Sequence, residues 1–127
     1  MDPNTKQIGG SHYRDGGNLQ HWDFVTLNGI GYLEGCATKY LSRHRKKGGK
    51  QDLEKAQHYV EKLISVLEDG RLVVMRFPDP VISAAEFARA NSLGEVEQRA
   101  VELIAFWEDL ADLDAALVLI RSLIKEH

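Results

Sequence analysis

Residues 53–67 read LEKAQHYVEKLISVL, and the apolar residues in this stretch recur every three or four positions. This spacing aligns them along one face of an α-helix. The stripe consists of Leu53, Ala56, Val60, Leu63, Ile64 and Leu67. Because Gly70 follows as a C-terminal stop signal, the segment predicts an amphipathic helix with one face buried in a core.

The flanking segments predict five more helices. Upstream, apolar periodicity predicts a short helix ending at Asn28 and a second helix over residues 33–44. Downstream, the sequence contains two capping boxes, which open a fourth and a fifth helix, and a periodic segment that forms a sixth. These signals are Ser83 with Glu86, Ser92 with Glu95, and residues 112–125. We therefore expect an all-α fold of about six helices.

The length predicts one domain, and its composition divides that domain into four segments. The length of 127 residues is close to the modal size of a single domain. Residues 1–17 are rich in glycine and predict a flexible arm, and residues 72–77 predict a short strand or extended connector before two prolines. Between and after them we expect a basic functional half at 18–69 and an acidic half at 82–127 for structure and oligomerisation.

Charge and composition narrow the functional class. Residues 1–64 hold ten Lys and Arg against seven Asp and Glu, whereas residues 65–127 hold six against twelve. This asymmetry argues against a protein that coats nucleic acid over its whole surface. The single cysteine, Cys36, excludes an intramolecular disulfide, and no apolar run reaches the roughly 18 residues of a membrane span. We expect a soluble, intracellular protein with no membrane partner.

The two halves also align with each other, which favours two pseudo-repeated three-helix units. A shift of 63 or 60 positions pairs Phe24 with Phe87, Asn28 with Asn91, Glu34 with Glu97, Asp52 with Asp112, and Val60 with Ile120. Any two sets of amphipathic helices also align to about this extent. Under either interpretation, the basic residues of the first half are replaced by acidic or apolar residues in the second.

The greatest concentration of positive charge is in residues 43–50, which read RHRKKGGK and contain five Lys or Arg and no acid. This basic turn lies between two predicted helices, where the first N–H groups of the second helix attract anions. It lacks the early glycine of a Walker loop, and Gln51 stands where that loop has a hydroxyl. Such a run is also typical of a solvated face or a nucleic-acid patch.

Other candidates each have a structural alternative. His44 could transfer protons, but a packed histidine is the commoner outcome beside an apolar stripe. Asp52 could bind a metal or serve the helix N-terminus. Trp22 and Tyr59 could stack on a base, although aromatic residues at helical spacing are more often core. The scattered histidines and single cysteine give no metal-ligand spacing, so we predict no structural metal site.

Several sequence blocks together resemble a small tailed-phage family catalogued as a domain of unknown function. The family includes a podophage nucleotide kinase that lacks a Walker loop. The blocks are SHY at 11–13, LQHWDF at 19–24, GCATKYLSR at 35–43, KKGG at 46–49 and DLEKA at 52–56, followed by Tyr59. The resemblance covers about residues 11–67. In the family an asparagine commonly follows the first glycine, where this chain has Cys36.

The resemblance implies a kinase that phosphorylates deoxynucleoside monophosphates. ATP or another nucleoside triphosphate would be the donor, with Mg²⁺ as a candidate cofactor, in a homo-oligomer in the cytoplasm of an infected bacterial host. Lysine and arginine suit this chemistry because they neutralise the transferring phosphoryl group. The expected nucleotide ligands are His12, Tyr13, Arg14, Lys39, Arg43, Lys46, Lys47 and Lys50, with His44 and Asp52 as catalytic candidates.

Two other functions use the same residues. The first is a non-catalytic nucleotide binder that sequesters a signal of bacterial immunity, which a basic pocket could perform without a catalytic acid or base. The second, less favoured, is a small accessory protein that binds nucleic acid. A steep salt dependence of binding would distinguish this second function from base-selective binding of mononucleotides.

Overall fold

A computed structural model describes residues 19–71 and 79–127 of the chain. Within these ranges it has six α-helices and no strand, which confirms the predicted all-α class. They are α1 (His21–Asn28), α2 (Tyr32–Arg43), α3 (Gly49–Glu68), α4 (Ala84–Ala90), α5 (Glu95–Ala105) and α6 (Leu110–Lys125). The predicted arm at 1–17 and the connector at 72–77 lie outside the described residues.

Local signals explain most of the helix boundaries. Gly29 ends α1 in the left-handed conformation, with a φ of 63°, and the side chain of Ser83 accepts a hydrogen bond from the Glu86 amide as its capping box predicts. The second predicted capping box is wrong. Ser92 has a φ of 57° in the turn after α4, and α5 is capped by Gly94 without a side-chain hydrogen bond.

One cluster of buried apolar side chains connects all six helices. Helix α2 packs on α3, α5 packs on α6, and the two pairs meet through contacts of α2 with α5 and of α3 with α6. The largest buried apolar side chains are Phe24, Leu41, Leu53, Leu63, Phe87, Ile104, Leu113, Ile120 and Leu123. The stripe predicted on residues 53–67 therefore faces this core.

Reciprocal hydrogen bonds relate the two three-helix units. The Trp107 indole donates to Glu34 Oε2 over 2.8 Å, and His44 Nε2 lies 2.9 Å from Glu97 Oε2. His44 and Trp107 are 63 positions apart, as are Glu34 and Glu97. Each unit thus supplies the ring nitrogen for the buried glutamate of the other, which is the pattern of a twofold, isologous contact.

A second reciprocal pair uses the asparagines at the ends of α1 and α4. Asn28 Nδ2 donates to the Ile82 carbonyl over 2.9 Å, and Asn91 Nδ2 donates to the Leu19 carbonyl over 2.8 Å. Leu19 and Ile82 are again 63 positions apart. These contacts show that the alignment of the two halves reflects a pseudo-twofold arrangement in three dimensions.

Apolar contacts follow the same symmetry. The rings of Phe24 and Phe87, another pair 63 positions apart, stack with their centroids 4.6 Å apart. Equivalent residues that touch each other must lie at the pseudo-twofold axis. The core is therefore built on an interface between two similar units.

Candidate ligand-binding groove

The basic turn joins α2 to α3 through a short, hydrogen-bonded connection. The amides of Lys46 and Lys47 donate to the Arg43 carbonyl over 2.9 and 3.0 Å, and the Gly49 amide donates to the His44 carbonyl over 2.8 Å. Gly49 has a φ of 56°, a conformation that costs a side-chain-bearing residue about 1 kcal/mol or more. The turn is thus a defined element that fixes the ends of both helices.

Asp52 holds this turn in place. Its carboxylate is buried, accepts the Gly48 amide over 2.9 Å and pairs with Arg43 Nε over 3.0 Å. Burial opposes ionisation, but the hydrogen bonds from Arg43 and Gly48 outweigh it and lower the pKa of Asp52. A Cβ on Gly48 would clash with the buried Asp52 carboxylate, so glycine allows this close approach.

His44 is also buried, and its ring contacts polar side chains of the second unit. Its Nε2 faces Glu97, its Nδ1 lies 3.3 Å from His127 Nε2, and Arg45 Nε donates to the same Glu97 oxygen over 2.7 Å. Burial opposes ionisation of Glu97, but hydrogen bonds that include those from His44 and Arg45 outweigh it and lower its pKa. Both predicted catalytic side chains, His44 and Asp52, therefore lie in buried polar contacts.

An open groove of about 350 Å³ lies beside the basic turn, between α2 and the first turns of α3. Its lining residues are Tyr40, Gln51, Glu54, Lys55, His58 and Tyr59. The rings of Tyr40 and Tyr59 are nearly parallel, with an interplanar angle of 5° and centroids 6.0 Å apart. Both rings are half-buried and pack against the core, and both also line the open groove.

Three cations surround the ring of Tyr40. Lys39 Nζ, the Arg43 guanidinium carbon and Lys55 Nζ lie 5.6, 4.9 and 5.1 Å from its centroid. These distances allow cation–π attraction, which holds the charged groups near the ring. Neither lysine forms a salt bridge among the described residues, although the charge of Lys55 helps to lower the pKa of Asp52. Their charges are therefore available to an anionic ligand.

The structure brings together only some of the predicted phosphate ligands. Lys39 and Arg43 meet at Tyr40, whereas Lys46 Nζ lies 3.5 Å from the Asn91 carbonyl, on the side of the other unit. Lys47 and Lys50 are exposed. The predicted ligands His12, Tyr13 and Arg14 lie outside the described residues.

Sequence reasoning did not name Lys55, Gln51 and Glu54 as groove residues. It favoured a core position for Tyr59, and Tyr59, like Tyr40, is half-buried and packs against the core while it lines the groove. A usable signal was present. Lys55 and Tyr59 are four positions apart on α3 and so share a face, as do Lys39 and Arg43 on α2. The pairing of α2 with α3 then brings these faces together, which periodicity alone does not specify.

The second unit does not reproduce this groove. The positions equivalent to Tyr40, Lys55 and Tyr59 are occupied by Leu103, Ala115 and Leu119. Packing of the helix pair therefore does not require the aromatic and basic side chains. Their presence in the first unit needs another explanation, and ligand binding supplies one.

The groove lies in the part of the chain that matches a known protein family. Residues 8–61 match the model of DUF3310, a protein family of unknown function. This segment contains the basic turn and every groove residue, and it supports the resemblance to a domain of unknown function. No curated protein and no solved structure matches the chain. Phage origin and nucleotide kinase activity stay predictions.

Across 19–71 and 79–127, none of the helices combines the length and apolar character needed to cross a bilayer. In the same ranges, no three His, Cys, Asp or Glu side chains converge in a group that could hold a metal ion.

Proposed function

We propose that this chain binds a nucleotide in the groove between α2 and α3. The observation that carries the proposal is the stacked pair of Tyr40 and Tyr59 with three cations around one of its rings. Aromatic faces stack on nucleobases, and lysine and arginine neutralise phosphate. A nucleotide needs both kinds of contact close together.

The charges of the groove support an anionic ligand. Lys39 and Lys55 form no salt bridge in the described parts of the chain, so a phosphate would not have to displace one. Arg43 is shared with Asp52, and its side chain remains 35% exposed. It can therefore contact a ligand while it stabilises the basic turn.

A sequestering role without chemistry fits the placement of the candidate catalytic groups. Asp52 is engaged by Arg43 and Gly48, and His44 faces Glu97 on the side of the second unit. Binding requires neither group to reach the ligand. Such a protein would act in the cytoplasm of an infected bacterial host by lowering the free concentration of a nucleotide signal.

Phosphoryl transfer to a deoxynucleoside monophosphate is the second candidate. Three cations at one site suit the charge of a transferring phosphoryl group, and the family resemblance supports the same activity. ATP or another nucleoside triphosphate would be the donor, with Mg²⁺ as the candidate cofactor and a homo-oligomer as the expected assembly.

Calorimetry with each deoxynucleoside mono-, di- and triphosphate tests the binding proposal. Tyr40→Leu introduces the residue found at the equivalent position 103 and should reduce affinity by about fivefold to 100-fold. Lys55→Ala should also weaken binding, whereas the matched control Lys62→Ala, two turns further along α3, should not. Absence of nucleotide binding, or wild-type affinity in both groove variants, would overturn the proposal.

A separate assay tests phosphoryl transfer. The protein is incubated with each deoxynucleoside monophosphate and ATP, with and without Mg²⁺, and products are separated by chromatography. Diphosphate that is lost in Lys39→Ala and in Lys55→Ala would support the kinase. If the protein binds the monophosphates but all of them are recovered unchanged, the kinase is excluded and the sequestering function is supported.

A further inference from the structure

A third tyrosine lies on the same face of α2 as Tyr40 and is the most exposed large apolar side chain described. Tyr32 is 78% exposed, whereas Trp22 is 53% and Val118 is 62% exposed. Tyr32 and Tyr40 are eight positions apart, with Cys36 midway, so the three side chains follow one line along the helix. An aromatic ring with so much exposed surface contributes little to the core.

Tyr32 and Tyr59 both interact with Cys36. The pKa of Tyr32 is raised, first by a hydrogen bond with Cys36 and then by electrostatic interactions that include Tyr59 and Tyr40. The pKa of Tyr59 is raised by Cys36, with further contributions from burial and from Tyr40. Tyr32, Cys36 and Tyr40 follow one another at intervals of about one turn along α2, and this placement puts the exposed Tyr32 ring at the start of the helix whose later turn lines the groove.

The second unit again lacks these features. Glu95 and Arg99 occupy the positions equivalent to Tyr32 and Cys36, and α5 forms an equivalent helix with them. The exposed tyrosine is therefore not a requirement of helix formation or of the pseudo-twofold packing. A flat, exposed aromatic ring beside a base-stacking surface is suited to a second base.

We propose that Tyr32 forms a second base-stacking subsite and that the groove takes a single-stranded oligonucleotide. This inference rests on the proposed nucleotide binding at Tyr40 and Tyr59. One base and the phosphates that flank it occupy the cationic end, and a base further along the same strand stacks on Tyr32. The occupant is a single strand because duplex bases are paired and stacked on each other, with their faces hidden.

The length of the surface sets the length of the strand. Eight residues of α-helix separate Tyr32 from Tyr40, a rise of about 12 Å. Stacked nucleotides advance by roughly 3.4 Å each, so the two rings are about three to four steps apart. Affinity should rise from the mononucleotide to about the tetranucleotide and then level off.

The charges predict a modest salt dependence. Three cations surround Tyr40, and no cation is described in contact with the Tyr32 ring. Three neutralised phosphates give a slope of about −2 for the logarithm of the binding constant against the logarithm of salt concentration. Stacking at Tyr32 adds no charge, so Tyr32→Ala should leave this slope unchanged.

The test is fluorescence anisotropy with thymidylate and uridylate strands of one to six nucleotides. In the wild type, the tetranucleotide should bind at least about fivefold more tightly than the mononucleotide in one or both series. Tyr32→Ala should remove this gain and change mononucleotide affinity less than about twofold. Tyr32→Phe, which keeps the ring and loses the hydroxyl, should retain the gain.

The outcomes separate this inference from the function on which it rests. Mononucleotide binding as tight as oligonucleotide binding, a length gain that survives Tyr32→Ala, or duplex binding equal to that of a single strand would overturn the second subsite alone. Failure of every strand and every mononucleotide to bind would overturn the nucleotide-binding proposal as well.

Discussion

Replacing Asp52 with alanine tests how much its carboxylate stabilises the fold. Asp112 makes the equivalent hydrogen bond in the second unit and allows a direct comparison. Asp52 Oδ2 accepts the Gly48 amide over 2.9 Å, and Asp112 Oδ2 accepts the Glu108 amide over the same distance. The two hydrogen bonds are equivalent under a shift of 60 positions. Asp52 differs in being buried and in pairing with Arg43. Asp112→Ala is therefore a matched control for Asp52→Ala.

The expected magnitudes follow from these contacts. A hydrogen bond to a charged group contributes about 1.5–3 kcal/mol, and Asp52 accepts one from the Gly48 amide and two from Arg43, although the partly exposed Arg43 regains water when the pair is lost. We expect Asp52→Ala to lower the free energy of unfolding by about 3 kcal/mol. Asp112→Ala removes a hydrogen bond at an exposed position and should cost about 1 kcal/mol.

Urea denaturation followed by circular dichroism measures both values, with an unchanged denaturant slope as evidence that only stability differs. The difference of about 2 kcal/mol corresponds to roughly 6–10 °C in melting temperature. Because the pKa of Asp52 is lowered in the folded state, its contribution is present above its unfolded pKa and is lost as pH falls through the folded value. Equal destabilisation by the two variants would refute the assignment of Asp52 as the residue that holds the basic turn.

Three further predictions concern the groove, a buried histidine and the pseudo-twofold axis. Glu54→Gln removes a carboxylate from the groove and should tighten nucleotide binding about twofold to fivefold at low salt, as calorimetry would show; weaker binding would contradict the proposed position of the phosphate. The pKa of His21 is lowered from 6.5 to about 4, chiefly by burial and then by Lys39. Unfolded His21 therefore binds a proton that the folded state does not, so stability should fall as pH decreases from about 6.5 to about 4. His21→Gln should flatten this decline in pH-dependent urea titrations, and an unchanged profile would contradict it. Phe24→Ala should lower the free energy of unfolding by about 3–5 kcal/mol because it removes one ring of the buried stack; a loss below about 1 kcal/mol would contradict the central position of that stack.

Apolar periodicity predicted four of the six helices, and capping-box patterns predicted α4 and α5. The capping-box pattern was less reliable. Ser83 satisfies it, whereas Ser92 takes a left-handed conformation after α4 and leaves Gly94 to begin α5. The same residue types can form a cap or a turn, and the surrounding packing decides which one forms.

The candidate site was only partly predictable. The sequence predicted the basic turn. It also predicted that Lys39 and Arg43 lie on one face of α2, because residues four positions apart on a helix are neighbours. The groove depends on how α2 packs on α3, which brings Tyr40 next to Tyr59 and Lys55 over Tyr40. An aromatic residue at helical spacing can face the core or a surface, and only the tertiary arrangement distinguishes the two.

The two units allow structural and functional residues to be separated within one chain. Asn28 and Asn91, like Glu34 and Glu97, keep the same residue type in both units and make reciprocal hydrogen bonds. His44 belongs with them, because Trp107 supplies a ring nitrogen to the other glutamate from the equivalent position.

Residues that differ between the units without such a shared contact are free of this structural constraint. Lys39, Tyr40 and Tyr59 are of this kind, since Glu102, Leu103 and Leu119 replace them in a unit with the same helices. Selection on the shared fold does not account for an aromatic and cationic surface in one unit alone. The asymmetry therefore supports the proposed binding in the groove of the first unit, beside which His44 and Asp52 make buried polar contacts.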